Sequence, residues 1–147
     1  MKPRLFLDID GVLNYSVGYR VFDYPRLFPE QCKYLQGICE VTGCEIVLCT
    51  NWRYVKGVEV IAEHLRKAGI TAPVIGGTPL CQTRGEGVRQ YRAGSSEPYV
   101  ILDDFPDYYA DQPLVLTYNE IGLTPELGAR AIDILRGKPD QGSSHHT

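Results

Sequence analysis

Five polar side chains each close a short apolar run. Asp8 and Asp10 follow Leu5-Phe6-Leu7, Thr50 follows Ile46-Val47-Leu48-Cys49, and Asp103 with Asp104 follows Val100-Ile101-Leu102. Taken singly, any of these aspartates could be a helix cap or a turn former. Taken together, four carboxylates and a hydroxyl from distant segments would meet in one place. Like charges so crowded repel unless a cation neutralises them. Carboxylate oxygens are hard donors, and a few of them beside a phosphate suit Mg²⁺. The same crowding favours one protonated carboxyl, which suits an acid at neutral pH.

The elements that would position these groups can be read from the pattern. Leu5–Ile9, Glu45–Thr50, Pro73–Ile75, Tyr99–Leu102 and Leu114–Leu116 read as strands. Helical spacing places Cys32, Leu35, Ile38 and Cys39 on one face of a helix over Pro29–Thr42, with Gly43 ending it. Val58, Ile61, Ala62 and Leu65 do the same for a helix over Val55–Ala68, and Gly85–Arg92 is a short third helix. Thr124-Pro125 supplies the cap and first-turn proline of the last one. Strands apolar on both faces, alternating with helices, predict a parallel sheet covered on both sides. The expected fold is a three-layer α/β sandwich around a five-stranded, mainly parallel, Rossmann-like sheet. Such sheets bind ligands beyond the carboxyl ends of their strands, beside the point where strand order reverses. All five polar positions fall there.

Composition narrows the classes. A chain of 147 residues, 44% hydrophobic and 22% charged, is one domain of an ordinary globular kind. The expected domain is 1–138, with 139–147 a flexible polar tail whose His145 and His146 carry no assigned role. A net charge of −3 argues against broad nonspecific binding to nucleic acid. No apolar run approaches the roughly 20 residues that span a bilayer, and Met1-Lys2-Pro3-Arg4 does not resemble a signal peptide. Five cysteines without a Cys-x-x-Cys pair read as buried, reduced thiols in a cytoplasmic protein. Asp8-Ile9-Asp10-Gly11 is no calcium loop, because Val12 occupies a ligand position. Gly76-Gly77-Thr78 lacks the Gly-Lys-Ser/Thr ending of a phosphate loop.

Leu5-Phe6-Leu7-Asp8-Ile9-Asp10-Gly11-Val12-Leu13-Asn14 resembles the first motif of the haloacid dehalogenase (HAD) superfamily. Ile46–Thr50 is similar to its second motif, and Val100–Asp104 to its fourth in the double-aspartate form. More narrowly, Thr50-Asn51-Trp52-Arg53, Arg84-Gly85-Glu86 and Gly122-Leu123-Thr124 are similar to small capless members related to the phosphatase modules of RNA-repair proteins. The resemblance implies a Mg²⁺-dependent phosphatase in which Asp8 attacks phosphorus and forms an aspartyl-phosphate. Asp10 would protonate the leaving oxygen and then deprotonate water. Thr50, with backbone amides near Gly11 and Asn51, would bind the phosphoryl oxygens. Asp103 and Asp104 would complete the metal site with Asp8 and the Asp10 carbonyl. The superfamily's third motif is usually a lysine, yet none lies between Lys67 and Lys138. Arg84, before the Gly85 turn, is assigned that charge, since its guanidinium offers a bidentate fork. Arg53, Lys56, Arg89 and Arg92 are rivals.

Substrate choice rests on what is missing. About thirty residues separate the first motif from the second strand, and a helix takes half of them. That leaves a flap, Asn14–Phe28, and no cap domain. Capless members of the superfamily tend to act on bulky substrates. The flap carries Tyr15, Tyr19, Phe22 and Tyr24 with Arg20 and Arg26. These could stack a base and hold a backbone phosphate, or the rings could simply pack the flap down. A terminal phosphate on nucleic acid is the first expectation and a free mononucleotide the second. A non-catalytic protein keeping the fold is the alternative from another class, and the presence of both Asp8 and Asp10 speaks against it.

Overall fold

The computed structural model describes residues 1–16, 26–54 and 56–138. Five strands, β1 (Arg4–Leu7), β2 (Glu45–Leu48), β3 (Val74–Gly77), β4 (Tyr99–Asp103) and β5 (Leu114–Leu116), form one sheet in the order β3-β2-β1-β4-β5. Every pairing is parallel. Helices α1 (Pro29–Thr42), α2 (Val58–Lys67), α3 (Arg84–Tyr91) and α4 (Pro125–Leu135) connect and cover it, and a 3₁₀ helix spans Asn51–Tyr54. This is the expected α/β, Rossmann-like architecture.

Strand alternation divides the core into two layers. Leu5, Leu7, Ile46, Leu48, Val100 and Leu102 face the larger core, where Leu35 and Ile38 of α1, Ile61 and Leu65 of α2, and Ala131 of α4 meet them. Phe6, Val47, Cys49 and Ile101 face the other side, covered by Val88 of α3 and the rings of Tyr91, Tyr99 and Tyr108. A period of two along each strand produces this division.

Local chemistry explains the helix ends. α1 starts at Pro29 and stops at Gly43, whose φ of 67° lets its N–H reach Cys39 O at 2.8 Å. Thr83 and Thr124 cap α3 and α4 by accepting from Glu86 N and Leu127 N. All five cysteines are free thiols, four of them buried.

Several element ends differ from expectation. β1 and β2 stop at Leu7 and Leu48, two residues short of the expected Ile9 and Thr50. α2 begins at Val58, later than the periodicity suggests, because the chain first turns through the 3₁₀ helix and then extends at Gly57 (φ −72°, ψ 164°). Val55 lies outside the described residues. β3 runs on through Gly76 and Gly77. A Cβ at Gly76 would stand 2.9 Å from the Tyr91 hydroxyl, and one at Gly77 3.2 Å from Val58, so bare backbone lets neighbours close in. As an edge strand, β3 leaves Ile75 partly exposed.

Candidate active site

The order β3-β2-β1-β4-β5 reverses direction between β1 and β4, which is the switch point where such sheets bind ligands. Leu7 pairs with Leu48 on one side and Leu102 on the other. The next residue of each strand, Asp8, Cys49 and Asp103, therefore emerges at the same edge. Asp8 N donates to Leu102 O at 3.0 Å, and Cys49 N to Leu7 O at 2.9 Å.

Asp8, Asp103 and Asp104 each present a carboxylate oxygen within 4.8 Å of the others. Asp8 and Asp103 are 3% and 0% exposed, and Asp104 is half-buried. Arg84, at the start of α3, lays Nη1 2.7 Å from Asp103 Oδ2 and 3.5 Å from Asp8 Oδ2. Its helix start is pinned below: Arg84 N donates to Asp107 Oδ2 (2.9 Å) and Gly85 N to Asp107 O (2.8 Å). Asp103 is heavily bonded, with Oδ2 also accepting from Tyr108 OH and Oδ1 from Phe105 N.

Electrostatics follow from this crowding. Burial and the neighbouring Asp103 drive the Asp8 carboxyl well above the usual carboxylate range, against the pull of Arg84. Burial and Asp103 likewise push Asp104 up to about 6. Burial works against the charge on Arg84, yet Asp8 and Asp103 outweigh it and hold the guanidinium protonated. Burial, then the nearby Cys49 and Asp103, keep Tyr108 a neutral donor. Three carboxylates against one guanidinium leave surplus negative charge in a low-dielectric space. That donor set fits a hard divalent cation.

Asp10 stands apart from the cluster. Its Oδ1 accepts from Asn14 Nδ2 at 3.0 Å and its Oδ2 from Trp52 Nε1 at 3.1 Å. Thr50 is buried, and its Oγ1 accepts from Trp52 N at 3.2 Å, which leaves its own O–H to donate elsewhere. Gly11, expected to offer a backbone donor, instead gives its N–H to Asn14 Oδ1 at 2.9 Å. What the site takes from Gly11 is space and conformation: its φ is 80°, and a Cβ there would lie 2.2 Å from Asp104 Oδ2. Thr117, just past β5, ties the same loop down by donating to Gly11 O at 2.7 Å.

The other expected residues are dispersed. Asn51 is exposed at the start of the 3₁₀ helix. Arg53 donates to Thr50 O at 2.6 Å and lies over the Tyr54 ring. Arg89 lies over Tyr109, Arg92 pairs with Glu97, and Lys56 is exposed. Tyr15 packs edge-on to Phe28 with centroids 4.5 Å apart, and Arg26 lies over that same ring. Tyr19, Tyr24, Phe22 and Arg20 fall outside the described residues, as does the tail from 139.

Asn14, Trp52, Tyr108 and Thr117 were not among the expected catalytic or metal-binding residues. Asn14 and Trp52 had a local signal, being four residues from Asp10 and two from Thr50. Tyr108 and Thr117 had none, since only folding brings them to the site. Among the described residues no helix is long and apolar enough to cross a membrane.

A search of curated proteins finds no match for this chain. Residues 4–127 do match a family described as the HAD domain in Swiss Army Knife RNA repair proteins. That stretch carries all five strands, Asp8, Arg84 and the double aspartate, and the chain belongs to this family of HAD domains.

Proposed function

We propose that the chain is a Mg²⁺-dependent phosphomonoesterase that forms an aspartyl-phosphate on Asp8 and acts on a terminal phosphate of nucleic acid. The observation that carries the chemistry is a single juxtaposition. A buried carboxylate, Asp8, lies beside Arg84, Asp103 and Asp104, with a separately held carboxylate, Asp10, two residues on.

In this reading Asp8 Oδ attacks phosphorus while the bond to the leaving oxygen breaks. Asp10 delivers a proton to that oxygen. Asp10 then takes a proton from water, which attacks phosphorus, frees inorganic phosphate and regenerates Asp8. Thr50 donates its hydroxyl to a phosphoryl oxygen, and Arg84 compensates the charge that builds there. Asp8 and Asp104 would hold Mg²⁺, with Asp103 fixed behind them by Arg84, Tyr108 and Phe105 N. When bound, the ion supplies positive charge that keeps Asp8 ionised and draws negative charge off the phosphoryl group.

Support for a nucleic-acid end comes from the family's RNA-repair setting and from the rim. Tyr54 and Phe105, 56% and 55% exposed, follow two of the site strands, each with a guanidinium near its ring. Exposed rings beside arginines can stack bases and meet backbone phosphates. The test compares kcat/KM for a short phosphorylated oligonucleotide and the matching mononucleotide across a salt series. An oligonucleotide advantage that shrinks as salt rises is expected, with a gentle slope because the chain is acidic. Asp8→Asn should abolish turnover and phosphate trapping. A mononucleotide that matches or beats the oligonucleotide at low salt reassigns the chain as a nucleotidase, and an active Asp8→Asn ends the mechanism.

A further inference from the structure

Asp10 needs an accurate aim if it is to move a proton, and two residues outside the reacting set provide one. We propose that Trp52 and Asn14 are positioning residues that clamp the Asp10 carboxylate, an inference that rests on the acid–base role of Asp10 given above. Each Asp10 oxygen receives one donor, Oδ1 from Asn14 Nδ2 at 3.0 Å and Oδ2 from Trp52 Nε1 at 3.1 Å. Two bonds to two different oxygens fix both the direction and the plane of the group, which one bond cannot do. Each oxygen keeps a second lone pair for a substrate or a water. Both donors are neutral, so they aim the carboxylate without adding charge.

The donors are themselves held. Asn14 is buried, and its Oδ1 accepts from Gly11 N while its Nδ2 also donates to Arg26 O at 3.0 Å. Its amide can therefore take only one orientation. Trp52 is 5% exposed, with its ring in the larger core and its indole N–H at Asp10. Its backbone N–H meanwhile donates to Thr50 Oγ1. One residue thus sets the spacing between the proposed acid and the proposed phosphate hydroxyl, which come from different strands.

The test separates aim from packing by the leaving group. An alkyl phosphate needs its leaving oxygen protonated, whereas dinitrophenyl phosphate releases a stable phenolate that does not. kcat/KM is the readout, because it reports only as far as phosphoryl transfer to Asp8. Trp52→Phe keeps an aromatic ring and removes the N–H. It should lower kcat/KM for the alkyl phosphate about tenfold or more, a fraction of the full worth of general acid catalysis, and for the dinitrophenyl ester less than about twofold. Asp10→Asn should show the same selectivity more strongly.

A second measurement does not depend on that variant folding. The chain has one tryptophan, so its amide spectrum holds one indole N–H signal. In Asp10→Ala that signal should move upfield and exchange faster. An unmoved indole signal overturns the contact. Equal losses on both esters in Trp52→Phe, or no loss on either, overturn the positioning role while leaving the phosphatase reading intact. If Asp10→Asn itself is unselective, the acid role fails, and the clamp falls with it.

Discussion

Replacing Asp104 by Asn should stabilise the metal-free protein at neutral pH, because the carboxylate is held where its charge is unwelcome. Burial and Asp103 raise Asp104 from the ordinary 3.8 to about 6. Each unit of such a shift corresponds to about 1.4 kcal/mol, so the ceiling is roughly 3 kcal/mol. Water reaches this half-buried group and screens it, which brings the expectation down to about 1–2 kcal/mol. The sign is set by proton counting. The folded state holds its proton to higher pH than the unfolded state, so this contribution is present below pH 3.8, falls as pH rises through about 6, and is gone above it. In EDTA, wild type should therefore lose stability relative to Asp104→Asn as pH rises from about 4 through about 6, with little further change above that. At about pH 8 the variant should be the more stable by about 1–2 kcal/mol, read from urea denaturation as a higher midpoint at equal slope. Adding Mg²⁺ should reverse the ranking, since wild type gains from binding and the variant gains little. If Asp104→Asn is no more stable than wild type in EDTA at about pH 8, the crowding argument fails. If Mg²⁺ lifts both proteins alike, Asp104 is not a ligand.

The geometry sets three other expectations. Gly11→Ala combines a left-handed backbone with a Cβ 2.2 Å from Asp104 Oδ2. It should cost about 2 kcal/mol or more in urea denaturation, and weaken Mg²⁺ binding by displacing Asp104. Arg84→Ala should lower kcat/KM by on the order of 3 kcal/mol of transition-state stabilisation, and Arg84→Lys should restore part of it. Arg53→Ala should do far less, because that guanidinium is engaged with Thr50 O and the Tyr54 ring; a silent Arg84→Ala with a crippled Arg53→Ala would reverse the assignment. Tyr108→Phe removes a buried donor to Asp103 and should cost about 1–2 kcal/mol of stability, measured by the same denaturation.

Much of the scaffold and the charged centre was legible in the chain because both rest on local pattern. Apolar runs of strand length identified the five strands, and the polar residues closing three of them placed Asp8, Thr50 and Asp103 at their carboxyl ends. Pro29 with Gly43, and Thr124 with Pro125, marked helix ends because caps are local chemistry. Where the structure departs, a neighbour distant in sequence is responsible. The strand expected over Pro73–Ile75 stops before Gly76, yet Tyr91 and Val58 close over Gly76 and Gly77 and the strand runs on through both. Gly11 N–H read as a phosphate donor, but Asn14 folds back to take it.

By itself, then, the sequence determined the alternation of strands and helices and the acidic edge, since period, capping and carboxylate chemistry are carried by residue types. Only the tertiary structure decided which partners those groups have. It set Arg84 against Asp8 and Asp103 across the switch point, and brought Tyr108 under Asp103 and Thr117 under Gly11. It also aimed Trp52 and Asn14 at opposite oxygens of Asp10. Hydrogen-bond partnership depends on distances of a few tenths of an ångström between segments as far as 106 positions apart, and spacing along the chain carries no such information.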